Sequence, residues 1–320
     1  MILFDKVSPN LPELSSYFVE KTKMFFNEDG SFNMKYFENV ECYYCSSNKF
    51  VNEFFDKYGF RHVRCSICGM VCVNPRLKKE IGHDLYAQDD YNQFYKIKLL
   101  PSLDYRRNVL GVNKYNQIID VLGRDKGRVL DIGCGLGEML SVFKENGWDT
   151  LGVEFNPFAS DYARENFGIS VINKSIYDFD ESHKFDAIML WGVLEHLYDP
   201  SNILNKCHSL LREDSLLVLE VPSADSFLVR YVEATGKEVD RIIEGHKHLM
   251  LFTAASFKGM LEKSGFGCRR LLSNGLDIAT VNSLFLEKTL SDKSIGIMQG
   301  VLDESMQGDL LRGFFSKRST

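Results

Sequence analysis

The chain has 320 residues, 44% of them hydrophobic, enough for one substantial core and a smaller appendage, which excludes a disordered chain. A net charge of −6 and a pI near 5.7 give no overall positive field to hold a phosphate backbone, so nucleic acid is a disfavoured partner, with a local basic patch left open. Eight cysteines are too sparse for a disulfide scaffold, the apolar opening Met1–Phe4 is broken by Asp5 and Lys6, and no charge-free apolar run reaches the ~18 residues of a membrane span; a reducing, cytoplasmic location is expected.

Residues 11–27, with Pro12 in the first turn and Leu14, Tyr17, Phe18, Phe25 and Phe26 as an apolar stripe, predict a helix that stops at Glu28-Asp29-Gly30, within an N-terminal extension over residues 1–39. Residues 40–80 change character: two Cys-x-x-Cys turns flank an aromatic stretch containing Phe50, Phe54, Phe55, Tyr58 and Phe60, which reads as a compact β-rich module. Residues 81–122 are polar and tyrosine-rich, then helical in period through Val109, Val112, Ile118, Ile119 and Leu122, and form linker or lid helices. From Arg128 short apolar runs alternate with amphipathic helices. Strands are expected at Arg128–Asp131, Thr150–Glu154, Ser170–Asn173, Ala187–Leu190 and Leu216–Val221, and helices near Met139–Asn146, Ala159–Phe167, Ser201–Leu211 and Ser256–Ser264. Gly147, Gly168 and Gly265 suit helix C-termini. A core domain over 123–281 is then followed, over 282–320, by a helical insertion at Asn282–Met306 and a closing strand at Asp309–Lys317.

Val129-Leu130-Asp131-Ile132-Gly133-Cys134-Gly135-Leu136-Gly137 is an apolar strand entering a loop of alternate glycines before a helix. Glycine serves where the backbone turns sharply and a ligand must lie against it. The spacing differs from the dinucleotide pattern Gly-x-Gly-x-x-Gly, and Asp131 already stands in the strand, so no pyrophosphate is expected. The next strand ends in Leu151-Gly152-Val153-Glu154, where two carboxylate oxygens suit the vicinal hydroxyls of a ribose.

These features resemble class I S-adenosylmethionine-dependent methyltransferases from about Asp104 to about Gly267. The segment from Phe185-Asp186 through Trp191-Gly192-Val193-Leu194-Glu195-His196 to Asp199-Pro200, the strand at Leu216–Pro222 and the stretch His246–Thr253 have that family's look. The resemblance implies an α/β, Rossmann-like class I methyltransferase sheet, mostly parallel with helices on both faces. It implies S-adenosylmethionine as cofactor, with Asp131, Gly133 and Gly135 at its methionine end, Glu154 and Phe155 at the ribose, and Trp191 beside the sulfonium. Where the family often has an acid near the adenine, Lys174-Ser175-Ile176 stand instead; Ser175 and Ile176 would line that pocket, with a carboxylate contact left to Asp178. The alternative is a tight βα turn of some other nucleotide-binding enzyme.

Cys42-x-x-Cys45 and Cys65-x-x-Cys68, nineteen residues apart, match the spacing of a tetrahedral zinc site, whose four thiolates leave no open position and make the metal structural. Redox dithiols or unrelated buried cysteines are the competing readings. Cys72, Cys134, Cys207 and Cys268 read as small buried hydrophobes. A small N-terminal zinc-ribbon module ahead of a class I domain resembles methyltransferases of bacterial sugar and polysaccharide biosynthesis and, more loosely, certain ribosomal-RNA methyltransferases. Only Glu195-His196 stand where sugar C-methyltransferases carry a histidine-rich stretch, so the resemblance implies O- or N-transfer to a small-molecule acceptor, a sugar or nucleotide-linked sugar.

A hydroxyl acceptor calls for a base, for which His246, His248 and His196 qualify by position. In an extended segment the first two would point to one side. Tyr86, Tyr91 and Tyr95 form either a lid or packing between modules. The other functions weighed are an RNA methyltransferase gripping RNA with the zinc module, and a binding protein that retains the fold without turnover. Oligomeric state is not legible.

Overall fold

The structure, a computed structural model, describes residues 7, 11–85, 92–179, 184–239, 241–287 and 289–318. Five strands surround the cysteines: β1 (Phe37–Glu38), β2 (Phe50–Phe55), β3 (Arg61–Cys65), β4 (Val71–Val73) and β5 (Arg76–Leu77). There follow β6 (Arg128–Ile132), β7 (Asp149–Val153), β8 (Ser170–Ile172), β9 (Phe185–Trp191), β10 (Leu211–Pro222), β11 (Met250–Leu251), β12 (Phe266–Asn274) and β13 (Leu310–Lys317).

Seven of these form the main sheet in the order β12-β13-β10-β9-β6-β7-β8, parallel from β10 to β8, with β13 antiparallel to both its neighbours. Successive strand residues face opposite sides, so a sheet covered on both faces needs continuous apolar strands. Val129, Ala187, Met189, Leu216, Val218 and Phe314 enter one core with Tyr115, Leu140, Phe143 and Trp148. Their neighbours Leu130, Ile188, Leu190, Leu217, Leu219 and Phe315 enter the other with Leu204, Phe257 and Phe266. That alternation explains why these apolar runs are strands. The helices between them start on caps: Asn156 accepts from the Ala159 amide, Asp199 from the Asn202 amide, and Thr253 and Ser256 form a reciprocal capping box. Gly168, at φ 59°, closes Pro157–Phe167 as expected.

The chain leaves β6 for β7 and β8 on one side, then returns to β9 on the other. The strand order reverses between β6 and β9, and the crevice outside their C-terminal ends is where such sheets bind ligands. The helical stretch before β6 alternates π-turns, Tyr95–Leu99 and Arg106–Gly111, with α-helix, Leu100–Tyr105 and Val112–Leu122; Tyr95 meets the glycine loop, and Tyr115 and Ile118 pack into the core on one face of the sheet. Two bounds differ from the sequence expectation. The C-terminal helical segment starts earlier, as Asp277–Phe285 followed by Asp292–Glu304, and β10 extends back to Leu211, whose pairing with β9 is interrupted before Leu216.

The cysteine segment forms a second sheet of order β11-β4-β3-β2. Its fourth strand, β11, comes from far along the chain, and Cys42, Cys65, Met70 and Cys72 share one core with Phe252, Phe257 and Leu219. No helix among the described residues is long and apolar enough to cross a membrane.

Candidate active site

The glycine loop leaves β6 directly over the end of β7. The amides of Gly133 and Cys134 both donate to the Val153 carbonyl, at 2.8 and 3.2 Å. Gly133 has φ 76°, and a Cβ there would lie 2.8 Å from Val193 Cγ2, so only glycine lets the loop pass the segment after β9. Glu154, just beyond β7, accepts from the Gly135 amide with Oε2 (2.9 Å) and from the Asn156 amide with Oε1 (2.8 Å). Burial raises its pKa, against the pull of those amides. Asn173 ties the next loop in by donating to the carbonyls of Glu154 (2.8 Å) and Phe155 (3.0 Å). Phe155 itself is 76% exposed on the outer lip, Ile176 is buried, and Ser175 accepts from the Tyr177 amide at 3.3 Å. The side chain of Asp178 lies outside the described residues.

Asp131 is buried at the end of β6, and its Oδ1 has no hydrogen-bond partner. Burial, then neighbouring Glu138, raises its pKa well above the ordinary carboxylate value. An orphaned carboxylate oxygen beside a glycine loop suits a ligand carrying an ammonium group, and the second carboxylate at Glu154 suits a ribose. Both fit S-adenosylmethionine. Tyr95 closes this side: it is buried, and its ring stands 3.7 Å from where a Gly135 Cβ would be. Tyr86 and Tyr91, expected with it, lie outside the described residues.

Across the crevice the walls are charged. Trp191, the last residue of β9, has the Lys114 ammonium 3.9 Å from its ring centroid and the Arg312 guanidinium at 5.6 Å. Glu220 of β10 binds Lys114 at 2.9 Å and Arg312, and although burial works against it, these cations hold its pKa at about 2. Beyond Trp191, Glu195 is buried with Oε2 unpartnered, and burial pushes its pKa to about 8. Its ligating atoms and those of His196 and His248 all lie within 4.8 Å of one another. His196 Nδ1 bonds the Lys247 carbonyl and His248 Nδ1 the Ile242 carbonyl, each at 2.8 Å. A carbonyl only accepts, so both rings carry a proton on Nδ1, and the His196 ring is also hydrogen-bonded to the Gly192 backbone. Burial lowers both pKa values, that of His196 to about 4.

His246 and His248 do not share a side. The amides of Lys247 and His248 both return to the Glu244 carbonyl, so the segment is a turn and the period-two expectation fails. His246 packs into an aromatic cage, 4.9 Å from the Phe18 ring and 4.4 Å from Tyr58, with both ring nitrogens unpartnered.

The four cysteine sulfurs converge: Cys42–Cys68 at 3.4 Å, Cys45–Cys65 at 3.5 Å and Cys45–Cys68 at 3.7 Å. Tetrahedral zinc with Zn–S near 2.3 Å requires sulfur separations of about 3.8 Å, so the donors fit that ion. Cys72 hydrogen-bonds Cys42 and is the largest cause of the lowering of its pKa, while burial raises the pKa values of Cys45 and Cys68. Among the other cysteines, Cys268 is only partly buried.

Sequence reasoning gave no site role to Glu195, Glu220 or Lys114, and read Cys72 only as a small buried hydrophobe. Glu220 did carry a signal, as the one carboxylate in the apolar run Leu216–Val221. Lys114 had none.

The model of a methyltransferase domain family matches residues 105–271. The ubiquinone biosynthesis O-methyltransferase of Actinobacillus pleuropneumoniae serotype 7 is 32% identical over 101 residues, 28% of this chain and 43% of that protein, so the chain matches less than half the length of that relative. Among solved structures, the fold is similar to 1,6-didemethyltoxoflavin-N1-methyltransferase from Burkholderia thailandensis, with bound didemethyltoxoflavin and S-adenosylhomocysteine (TM-score 0.53, 15% identity, 84% of this chain and 100% of that one). It is also similar to magnesium protoporphyrin IX methyltransferase from Synechocystis with bound S-adenosylhomocysteine (TM-score 0.51, 13% identity, 76% and 100%). The relatives from Actinobacillus pleuropneumoniae and Nitrobacter winogradskyi are both ubiquinone biosynthesis O-methyltransferases, and the expected resemblance to sugar methyltransferases is not shown by them.

Proposed function

This chain belongs to the methyltransferase domain family and is an S-adenosylmethionine-dependent methyltransferase, and from that premise we propose that it methylates a hydroxyl of a small polar acceptor, a sugar or nucleotide-linked sugar. The observation that carries the reading is Glu195, buried with Oε2 unpartnered, on a wall that also holds the mutually paired Lys114, Glu220 and Arg312. A buried carboxyl group requires a partner. A polyhydroxyl acceptor supplies a hydrogen bond to it, whereas an isoprenoid quinol has mostly hydrocarbon to offer. The O-methyltransferase name of the relatives supports oxygen as the accepting atom.

Bound S-adenosylmethionine supplies a methyl group on a positively charged sulfur, which leaves as a neutral thioether. Asp131 would hold its methionine end and Glu154 its ribose, and Trp191 would line the site beside the sulfonium. Glu195, His196 and His248 face the acceptor, and one of them takes the single hydroxyl proton as the oxygen–carbon bond forms and the carbon–sulfur bond breaks. Glu195, with the highest proton affinity of the three, is the base, and the imidazoles orient the hydroxyl. Cys42, Cys45, Cys65 and Cys68 hold one structural zinc ion. The divisions at residues 39, 80, 122 and 281 are part of the same reading.

Release of S-adenosylhomocysteine is the assay, run against a panel of nucleotide sugars and a catechol. Turnover on a nucleotide sugar supports the proposal. Turnover on the catechol alone overturns the acceptor assignment.

A further inference from the structure

We infer that the cysteine module sets the geometry of the proton-accepting cluster, with Asp56 as the positioning residue acting through the segment 244–251; this rests on the proposed role of Glu195, His196 and His248. Asp56 sits in the turn joining β2 to β3, buried, with its carboxylate saturated from two directions. Oδ1 accepts the amides of Tyr58 (2.9 Å) and Phe60 (3.0 Å), which closes the turn on itself. Oδ2 accepts His62 Nε2 (3.1 Å) from β3 and the Gly245 amide (2.5 Å) from the far end of the chain. Four donors fill the accepting capacity of one carboxylate, and one of them is the catalytic-side backbone.

Gly245 is glycine because of this contact. A Cβ there would lie 2.5 Å from Phe60 Cβ and 3.0 Å from Asp56 Oδ2. From that anchor the chain turns through Glu244–His248, and the Lys247 carbonyl receives His196 Nδ1. The Leu249 amide then donates to the Glu195 carbonyl at 2.9 Å, while the Leu249 carbonyl accepts from Val73 of β4 at 3.0 Å. Met250 and Leu251 pair with Cys72 and Val71. The segment is thus bonded to the module at both ends and to Glu195 and His196 in between. The consequence is chemical: the Lys247 carbonyl, together with the Gly192 backbone, fixes the orientation of the His196 ring, as an outer partner fixes a ligating or catalytic imidazole. A displacement of ~1 Å in such a group costs about 100-fold in rate. The module therefore acts on methyl transfer without touching the cofactor.

The test uses the full zinc-loaded chain with Asp56→Ala and, from the opposite side of the same contact, Gly245→Ala, which keeps the Asp56 carboxylate and displaces the segment 244–251 by pressing a methyl group against Phe60 and Asp56. In the S-adenosylhomocysteine complex, nitrogen NMR of labelled histidine reads the tautomers of His196 and His248, beside metal content, melting temperature and kinetics. The expected result is full zinc content, S-adenosylhomocysteine affinity within about 3-fold, imidazole signals moved off the Nδ1–H pattern, and kcat down by about 100-fold at unchanged KM for S-adenosylmethionine. If Asp56→Ala fails to fold, Gly245→Ala decides. Unmoved imidazole signals in folded, zinc-loaded Gly245→Ala overturn the inference. Moved signals with undiminished turnover support the positioning by the module and overturn the proton-accepting role instead.

Discussion

The cofactor side and the acceptor side of the crevice are built differently. Asp131, Gly133, Gly135 and Glu154 come from one strand–loop–helix–strand unit, and the Gly135 amide reaches Glu154 across only 19 positions. The acceptor side joins Glu195 and His196 after β9 to a turn near residue 246 and to a hairpin near residue 56, through contacts across most of the chain. A locally built site survives damage elsewhere, whereas one assembled from distant segments fails when any of them shifts. The two halves should therefore come apart experimentally.

The largest separation is expected from the metal. Cys65→Ser should lower zinc content from about one per chain to none, because a structural site with three thiolates loses the closed tetrahedral set whose binding energy folds such modules. Methyl transfer should fall by more than about 1,000-fold as β3, β4 and the bonded segment 244–251 loosen, with S-adenosylhomocysteine affinity within about tenfold. Metal analysis, calorimetry and the transfer assay on the same sample check this. Zinc-free protein with full turnover would break the comparison at its root.

Next in size is the base. Glu195→Gln should cut turnover by about 100-fold or more at unchanged cofactor affinity, the usual loss for a general base. The pH profile sharpens it. Burial first, then Glu220, pushes the Glu195 pKa to about 8, opposed by Lys247. Only the ionised form accepts a proton, so turnover should climb about tenfold per pH unit below 8 and level off above it. A profile flat from pH 6 to 9 counts against Glu195.

The cofactor side gives the smaller, purely binding effect. Glu154→Ala should weaken S-adenosylhomocysteine by roughly 10- to 100-fold, the loss of a charge-assisted contact worth about 1.5–3 kcal/mol. Gly135→Val should do at least as much, because φ is 53° there and a β-branched residue resists that conformation. Turnover at saturating cofactor should recover in Glu154→Ala. If both variants keep wild-type affinity, the cofactor lies elsewhere.

The same asymmetry governs what the sequence could reveal. Short apolar runs marked β6 to β10 because alternate residues of those strands fill opposite cores and leave both faces apolar, and the loop glycines marked the cofactor side because their positive φ values are a backbone need that the sequence displays. The cysteine spacing was legible for the same reason: each pair occupies one turn. Nothing local distinguishes Asp56 from a solvated turn aspartate, or Lys114 from any helical lysine, since their partners stand 189 and 106 positions away. His246 and His248 were legible as residues but not as geometry, because a turn and an extended segment can share one sequence and the bond to Asp56 helps to decide between them.

His246 gives the finest test, and the smallest expected effect. Its neighbour His248 is bonded and faces Glu195, while His246 is held by Phe18, Tyr58 and Phe60 with neither nitrogen satisfied. A buried donor and acceptor without partners cost about 1–3 kcal/mol, and an aromatic hydrocarbon of similar shape removes that cost. Phenylalanine is slightly larger, and overpacking returns a comparable penalty of about 1–3 kcal/mol. His246→Phe should therefore shift the melting temperature by only a few degrees and leave turnover within about 3-fold, whereas His248→Ala lowers turnover by about 100-fold at constant cofactor affinity. Equal losses in the two variants would mean that His246 reaches the acceptor after all, and that the turn at Glu244–His248 opens during the reaction.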